Sequence, residues 1–583
     1  MDTAVKRYLV IAAVICAVTL LAYSNTFHAS FHFDDEHQVV KNTNVHVIEN
    51  LPSFFTTAGM GSYTASGNRG YRPVTYASFA LNYAVSGLDT WSYHVLNLLI
   101  HLINVLLVYL VAMAVLDAAG GRDGKAAALS GALLFALHPI QTSAVTYISG
   151  RAALLATSFT LAAFYAFTRF RAGGVRRYIW AGAVPVLFIL GLLSKEMAVS
   201  FLGLALLYDL LFTLPKTGGM RPMRGAAVFY VPVVAALMLY LVIKGAVQGV
   251  YTVPYSPYGV WEYMVSEAKT LLMYVRLIVL PINQNADYNV PVTESLDAFA
   301  AVSMVLVSSA AILLYRVRRK SPAVAFFGFW FLISIAPESS IFPVEDIAVE
   351  YRLYMPSAGF IMALVVIMHG LLKDRRFVRA AAFSTVALLM ALTFTRNAVW
   401  ATDESLWRDA ARKAPGSARA HTNLGHALLI DKRYQDAVDE LSRSLTYTGL
   451  TPKALGVTYN ELGVCYTELG LPDKAIAAYR EAVETYPEMV EPYFNIGKAY
   501  ERQGRYAEAE EVLVKAAGIN PDYLLNRLEL AVVYSAMGRH NDAVFQMEEA
   551  ARLAPGDPDV RYRLELAYSN AGRPVNSAIQ EVR

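Results

Sequence analysis

Three carboxylates stand side by side in Phe33-Asp34-Asp35-Glu36-His37, about ten residues beyond the first apolar run. Crowded like charges raise the affinity of at least one of them for a proton or a cation, and a carboxylate so placed can act as general base toward a hydroxyl. The plain alternative is a solvated turn. Cations recur in comparable settings: Arg72 in Tyr71-Arg72-Pro73, Arg151 in Ser149-Gly150-Arg151, Lys195 beside Glu196, and Arg352 in Glu350-Tyr351-Arg352. Facing a phosphate, such groups make charge-assisted hydrogen bonds, and arginine can bind two oxygens at once. Ion pairs within Lys195–Glu196 and Glu350–Arg352 that hold helix ends are the competing reading. His94, Asn97, His101 and Asn104 are spaced 3, 4 and 3 and share one helix face. Hydrogen bonding between helices is the expected role there, with substrate contact as the alternative. His138-Pro139 reads either as a ligand or as a cap. The sequence carries no metal-ligand spacing, P-loop, dinucleotide fingerprint or nucleophile elbow.

The elements that must hold these residues follow from composition. Of 583 residues 56% are hydrophobic and 17% charged, against roughly 45–50% and about 25% in soluble domains. An ordinary soluble globule is excluded. Residues 1–396 hold 29 Lys/Arg and 20 Asp/Glu, whereas 397–583 hold 21 and 27; one half is basic and the other acidic. With a net charge of +3 and no basic stripe interleaved with aromatics, nucleic acid is not a partner. Cys16 and Cys465 stand alone in different halves, so no disulfide framework exists.

Apolar runs near 8–23, 94–116, 126–138, 152–170, 178–193, 197–214, 225–243, 298–315, 323–336, 353–372 and 380–396 predict eleven bilayer crossings. The first follows Lys6 and Arg7 and runs into Tyr23, Ser24 and Asn25 without a small-residue cleavage site, which reads as an uncleaved anchor starting in the cytoplasm. Cytoplasmic loops carry the Lys/Arg excess. Arg122 with Lys125, Arg169 to Arg177, Lys216 to Arg224, Arg316 to Lys320 and Lys373 to Arg379 then fall on one side, provided that 266–281 does not cross. That segment holds Glu267, Lys269 and Arg276 and suits an interfacial or re-entrant helix. Loops 24–92, 244–297 and 337–352 lie outside, as does everything after 396.

From Ala418 onward the pairs Leu424-Gly425, Leu462-Gly463, Ile496-Gly497, Leu530-Ala531 and Leu564-Glu565 recur at intervals of 38, 34, 34 and 34. Tyr466, Tyr500, Tyr534 and Tyr568 follow three residues later, and Pro487, Pro521 and Pro555 close the units. This pattern resembles the tetratricopeptide repeat (TPR) closely, which predicts an α-solenoid with a groove. Four repeats and a partial fifth occupy 418–583; Trp407, Ala410 and Pro415 place a connecting half-repeat at 397–417. The longer first interval puts about four extra residues, Thr451 to Leu455, in the first inter-repeat turn. Tyr459, Asn460, Asn495 and Arg527 fall on first helices and are the candidate contacts for an acceptor polypeptide.

Phe33-Asp34-Asp35, Tyr71-Arg72-Pro73, Gly87-Leu88, Tyr93-His94 through Asn97 to His101, His138-Pro139, Ser149-Gly150-Arg151, Ser194-Lys195-Glu196 and Glu350 to Ser357 together resemble the motif series of TMTC-type (transmembrane and TPR-containing) proteins and their bacterial relatives. Such proteins are similar to GT-C glycosyltransferases, in particular protein O-mannosyltransferases. The resemblance implies an all-α chain: a GT-C-like membrane domain over 1–396 followed by the repeats. It also implies an inverting glycosyltransferase that moves mannose or another hexose from a polyprenyl-phosphate donor to Ser or Thr of a protein. Asp34 and Asp35 are then the catalytic pair, with Arg72, Arg151, Lys195 and Arg352 on the donor phosphate. Glu36, His94, His138, Glu196 and Glu350 are candidate substrate contacts. Metal-independent transfer is expected, with a divalent cation left open. The expected setting is a bacterial inner membrane, or the endoplasmic reticulum in a eukaryote, with the repeats extracytoplasmic. The alternative reading is a membrane-anchored TPR scaffold for envelope or secretion assembly, without catalysis.

Overall fold

The computed structural model describes residues 3–61, 70–120, 124–214, 223–248, 259–293, 295–339, 346–372 and 374–574. Of the basic loop residues, Arg122, Lys216, Arg221 and Lys373 lie outside them, as do the side chains of Lys6, Arg7, Arg224, Arg375 and Arg379. All regular structure among the described residues is helical, in two compact units, Met1–Asp409 and Ala410–Arg583.

The first unit is built from α1 (Thr3–Ala22), α2 (Pro73–Ser86), α3 (Trp91–Ala118), α4 (Gly124–Leu137), α5 (Arg151–Ala172), α6 (Arg177–Ser194), α7 (Ser200–Tyr208), α8 (Met223–Gln248), α9 (Val260–Val279), α10 (Ala298–Val317), α11 (Pro322–Ile335), α12 (Tyr354–Leu371) and α13 (Arg375–Val399). Eight helices among the described residues are long and apolar enough to cross a bilayer; Gly124–Leu137 with Pro139–Val145, bent by 51°, makes up to nine, and Val10–Ala22 and Pro322–Ile335 are shorter apolar helices. These segments coincide with the apolar runs of the sequence. The amphipathic α9 is not among them. α3 packs on α4 and α5, and α12 on α4 and α11, around a core that includes Phe135, Phe164, Trp330 and Tyr354. α10 leaves Val302, Val305, Leu306, Ile312 and Leu313 exposed, as a helix apolar on all sides does where lipid is its solvent.

The polar face of α3 ties this bundle together. His101 Nδ1 meets Tyr354 Oη at 2.7 Å, Asn104 donates to Leu154 O at 3.0 Å, and Asn97 donates to Val145 O at 3.1 Å and to Tyr147 O at 3.2 Å. In hydrocarbon such groups must find partners within the protein, and these do. Gly150 allows the tight entry into α5: a Cβ there would stand 2.4 Å from Ala144 O.

Helix α14 (Asp403–Lys413) leads on to helix pairs α15 (Ala418–Ile430) and α16 (Tyr434–Ser444), α17 (Pro452–Glu468) and α18 (Pro472–Thr485), α19 (Val490–Arg502) and α20 (Tyr506–Ile519), α21 (Leu524–Ala536) and α22 (His540–Leu553), then α23 (Pro558–Asn570). Gly463 sits where a Cβ would strike the Tyr479 ring at 2.3 Å, so the small residue is what lets α17 and α18 close. One expectation is corrected here. Thr451 caps the helix by accepting from Ala454 N, and Pro452 takes its first position, so Pro452 to Leu455 form an extra helical turn and α17 has 17 residues against 13 in α19. The extra residues lengthen the helix rather than the connection.

Candidate active site

The acidic triplet separates into three different environments. Phe33 takes a left-handed backbone (φ +48°), an uncommon conformation for a bulky residue, and its ring lies 4.6 Å from that of Trp407 and 5.9 Å from that of Tyr147. The turn directs the next two side chains apart. Asp35 is fully buried and accepts from His32 N at 3.0 Å, from Ser149 N at 2.7 Å and from the Ser149 hydroxyl. Asp34 is 49% exposed, and its carboxylate stands 3.6 Å from His37 Nε2. Glu36 is exposed and pairs with Lys41 at 3.2 Å. Burial pushes Asp35 up to about 7 against the pull of its donors and of His32; crowding by the neighbouring carboxylates is not the cause. His32 anchors the turn from the other side, with Nδ1 2.6 Å from Asp403 Oδ1 and Nε2 2.8 Å from Trp400 O. The triplet is therefore a half-exposed carboxylate, Asp34, on a turn that the buried Asp35 supports, beside the exposed Glu36, which is paired with Lys41.

Tyr147 and Tyr351 carry the site inward. The Asp34 amide donates to Tyr147 Oη at 3.1 Å, and the Tyr147 ring stacks on Trp400 at 5.7 Å and lies 6.3 Å from that of Tyr351. Tyr351 stands near enough to both Asp34 and Arg352 to feel their charge, and Lys195 Nζ lies 4.7 Å from its ring centroid. Lys195 in turn feels Arg72 and Arg352. Tyr351 thus stands between Asp34 on one side and the cations Lys195 and Arg352, with Arg72 beyond them, on the other.

The ion pairs of these cations are not those between sequence neighbours. Lys195 pairs with Glu338 at 2.5 Å, while Glu196 pairs with Lys244 at 2.9 Å and lies 3.8 Å from Arg72 Nε. Lys195 has an extended backbone at the end of α6, which sends adjacent side chains opposite ways. Arg352 stands 3.6 Å from Glu267 and donates to Ile347 O at 3.0 Å and Asp346 O at 2.6 Å. Glu350 instead accepts from Asn285 N at 2.8 Å and from Tyr288 Oη at 2.5 Å, because residues two apart on a helical turn do not face each other. Lys244, Glu267, Glu338, Tyr147 and Tyr351 were not singled out as site residues from sequence. Ionisable type beside an apolar run was the available signal for the first three.

Several expected contacts are corrected. Arg151 is fully buried, donating to Asn97 Oδ1 at 2.7 Å, Asn82 Oδ1 at 2.5 Å, Tyr93 O at 2.9 Å and Ser78 O at 3.2 Å, with Phe79 packed on its plane. Its donors are spent inside the protein, so it braces helices and does not reach a phosphate. His94 Nε2 meets Ala29 O at 2.9 Å, and His138 caps its own turn while Nε2 meets Ile278 O at 2.9 Å. Both are buried structural residues, as is Glu350. In the repeats, Asn495 donates to Asn460 Oδ1 at 2.9 Å across successive first helices, beside the half-buried Tyr459. Arg527 donates to Pro521 O, at the end of the preceding repeat, at 3.0 Å and to Gln546 Oε1 at 2.9 Å.

Comparison with known proteins defines the class first. Tetratricopeptide repeat models match residues 416–488, 461–523 and 502–565, so the chain joins a membrane-type helix bundle to a TPR array. Its curated homologues are protein O-mannosyl-transferases of the TMTC type. The chain is 28% identical over 426 residues to "Protein O-mannosyl-transferase F38B6.6" of Caenorhabditis elegans, covering 71% of this chain and 59% of that protein. It is 25% identical over 613 residues to "Protein O-mannosyl-transferase TMTC3" of Homo sapiens, covering 96% and 61%. The chain thus spans about three fifths of the length of these relatives. Among solved structures, the crystal structure of MamA protein is 23% identical, covering 28% of this chain and 85% of that one at a TM-score of 0.24.

Proposed function

We propose that this protein is an inverting GT-C-type membrane glycosyltransferase that moves a sugar from a polyprenyl-phosphate donor to Ser or Thr of a protein on the extracytoplasmic side. The observation that carries the reading is that Tyr351 stands near both the half-exposed Asp34 and the cations Lys195 and Arg352. The acceptor oxygen attacks the anomeric carbon as the bond from that carbon to the phosphate oxygen breaks. The electron pair leaves on the phosphate, and the hydroxyl proton passes to Asp34. Asp35 holds the turn that presents Asp34. Among the described residues, Arg72, Lys195, Lys244 and Arg352 face the carboxylates of Glu196, Glu267 and Glu338, four cations to three carboxylates, with Asp34 as the fourth carboxylate of the site. A sugar phosphodiester brings one negative charge, which these cations can bind without a metal. The repeats capture the acceptor polypeptide, with Asn460 and Asn495 binding its backbone.

The scaffold alternative predicts no gathering of acid and cations around one tyrosine, and nothing favours it here. Purified protein given a polyprenyl-phosphate sugar, an acceptor polypeptide and chelator should form glycosylated product, and Asp34→Asn should abolish transfer at unchanged expression. Full activity in that variant would overturn the assignment of Asp34.

A further inference from the structure

Glu267 lies on α9 beside the cation cluster and is 2% exposed. Neither of its carboxylate oxygens has a hydrogen bond of ordinary geometry. Its charge partner Arg352 is also buried and stands 3.6 Å away, beyond a direct hydrogen bond. The two partners are unequally anchored. Arg352 is fixed by two main-chain carbonyls, Ile347 O and Asp346 O, whereas Glu267 has, besides the charge of Arg352, only the poorly aligned hydroxyls of Tyr263 and Ser339. A buried carboxylate whose hydrogen bonds are poorly aligned is a costly arrangement, and it persists where an opposite charge compensates for it.

The groups around Glu267 can be enumerated. Tyr263 and Tyr274 come from its own helix; Tyr263 Oη donates to Glu338 O at 3.0 Å and Tyr274 Oη to Val349 O at 3.1 Å. Glu338 and Ser339 follow α11, and Arg352 comes from the turn before α12. Among the described residues Arg352 is the cation of this group, and Glu338 adds a like charge. Burial pushes Glu267 up to about 7, with Arg352 pulling the other way.

Resting on the reading of Arg352 as a phosphate contact, we propose that Glu267 is the resident counter-ion of Arg352: it balances the guanidinium while the site is empty and takes up a proton when the donor phosphate arrives. Glu267 is thus a positioning residue that acts through Arg352 and does not touch the sugar. Charge balance motivates the exchange. With Glu267 and Asp34 ionised, the four cations face four carboxylates; a phosphodiester adds one negative charge, and a proton on Glu267 restores the balance. Transfer converts the diester into a monoester with a second negative charge while the acceptor proton neutralises Asp34, so that with Glu267 protonated the cations exceed the carboxylates by two. Proton uptake therefore also favours the charge that develops on the leaving group.

The test uses the full-length protein in detergent and a polyprenyl methyl phosphodiester, whose single charge does not titrate near neutrality. Binding that raises the Glu267 affinity for protons is strong below its free value and is lost as pH rises through the bound value. A rise of one unit weakens the complex about sevenfold between pH 6 and pH 8.5. Glu267→Gln should bind at the level of the acid limit with no pH dependence, while Glu267→Asp should keep a dependence. On the wild type alone, titration calorimetry in buffers of different ionisation enthalpy should show net proton uptake at pH 7.5. A pH-independent wild type, or absence of proton uptake, would overturn the proposal. So would an equal pH dependence in Glu267→Gln, which would assign the titration to Asp35 or His37. Failure of the diester to bind at any pH to protein that melts normally would instead remove the phosphate reading itself.

Discussion

Replacing Arg151 with lysine separates two roles that a cation at this position could have. The guanidinium makes four hydrogen bonds at 2.5 to 3.2 Å, to two asparagine side chains and two main-chain carbonyls. A lysine ammonium has three donors without the planar fork, and from one point it satisfies about two of these acceptors. The two left unpaired in a fully buried setting cost about 1–3 kcal/mol each, so the variant should lose about 4 kcal/mol of stability. The assay is thermal unfolding in detergent alongside steady-state transfer at varied donor concentration. The expected result is a markedly lower melting temperature and less folded protein, with KM for the donor unchanged in the folded fraction. A tenfold rise in donor KM at an unchanged melting temperature would refute the reasoning, because it would mean that Arg151 reaches the phosphate.

Three further outcomes follow from the same geometry. The folded protein holds the Asp35 proton up to about 7, whereas an unfolded aspartate releases it near 3.9, so stability should fall as pH rises from about 4 to 7, by up to about 4 kcal/mol; Asp35→Asn should flatten that part of the profile, as melts at both ends would show. Replacing both Asn460 and Asn495 with alanine should reduce transfer to polypeptide acceptors several-fold while donor hydrolysis and the melting of the repeats stay within about 0.5 kcal/mol of wild type; equal loss of both activities would count against acceptor capture. A cysteine at the exposed Gln435, in a background lacking Cys16 and Cys465, should react with a membrane-impermeant thiol reagent in intact cells, and labelling only after disruption would place the repeats on the cytoplasmic side.

The helices and their class were readable because bilayer-length apolar runs and a 34-residue period are one-dimensional signals. The details of the site were not. Asp34 and Asp35 are adjacent and of one type, and what makes one exposed and the other buried is the left-handed turn at Phe33 and the donors of Ser149, more than a hundred residues away. The pairings of Lys195, Glu196, Glu350 and Arg352 had the right chemistry but the wrong partners, since an extended break and a tight helical turn send neighbouring side chains apart. Arg151 and His138 looked like ligands because polar residues beside apolar runs are conspicuous in sequence whether they face a substrate or close a hydrogen-bond network. His94 and Asn97 shared that ambiguity, and their spacing on one face of α3 was the clue that favoured the structural role. Glu267 was noted only as a reason why its segment does not cross; its approach to Arg352 depends on how α9 packs.

The central claim is a direct displacement served by one carboxylate, Asp34, acting as base, and the anomeric configuration of the product tests it most directly. The one-bond carbon–hydrogen coupling at the anomeric position should be measured by NMR in the glycopeptide and in the polyprenyl-phosphate donor of known configuration. The account predicts inversion, as one attack on the anomeric carbon with phosphate leaving requires. Retention would contradict it, since retention calls for a second displacement through a glycosyl-enzyme and so for a nucleophile that Asp34, acting as base, does not provide.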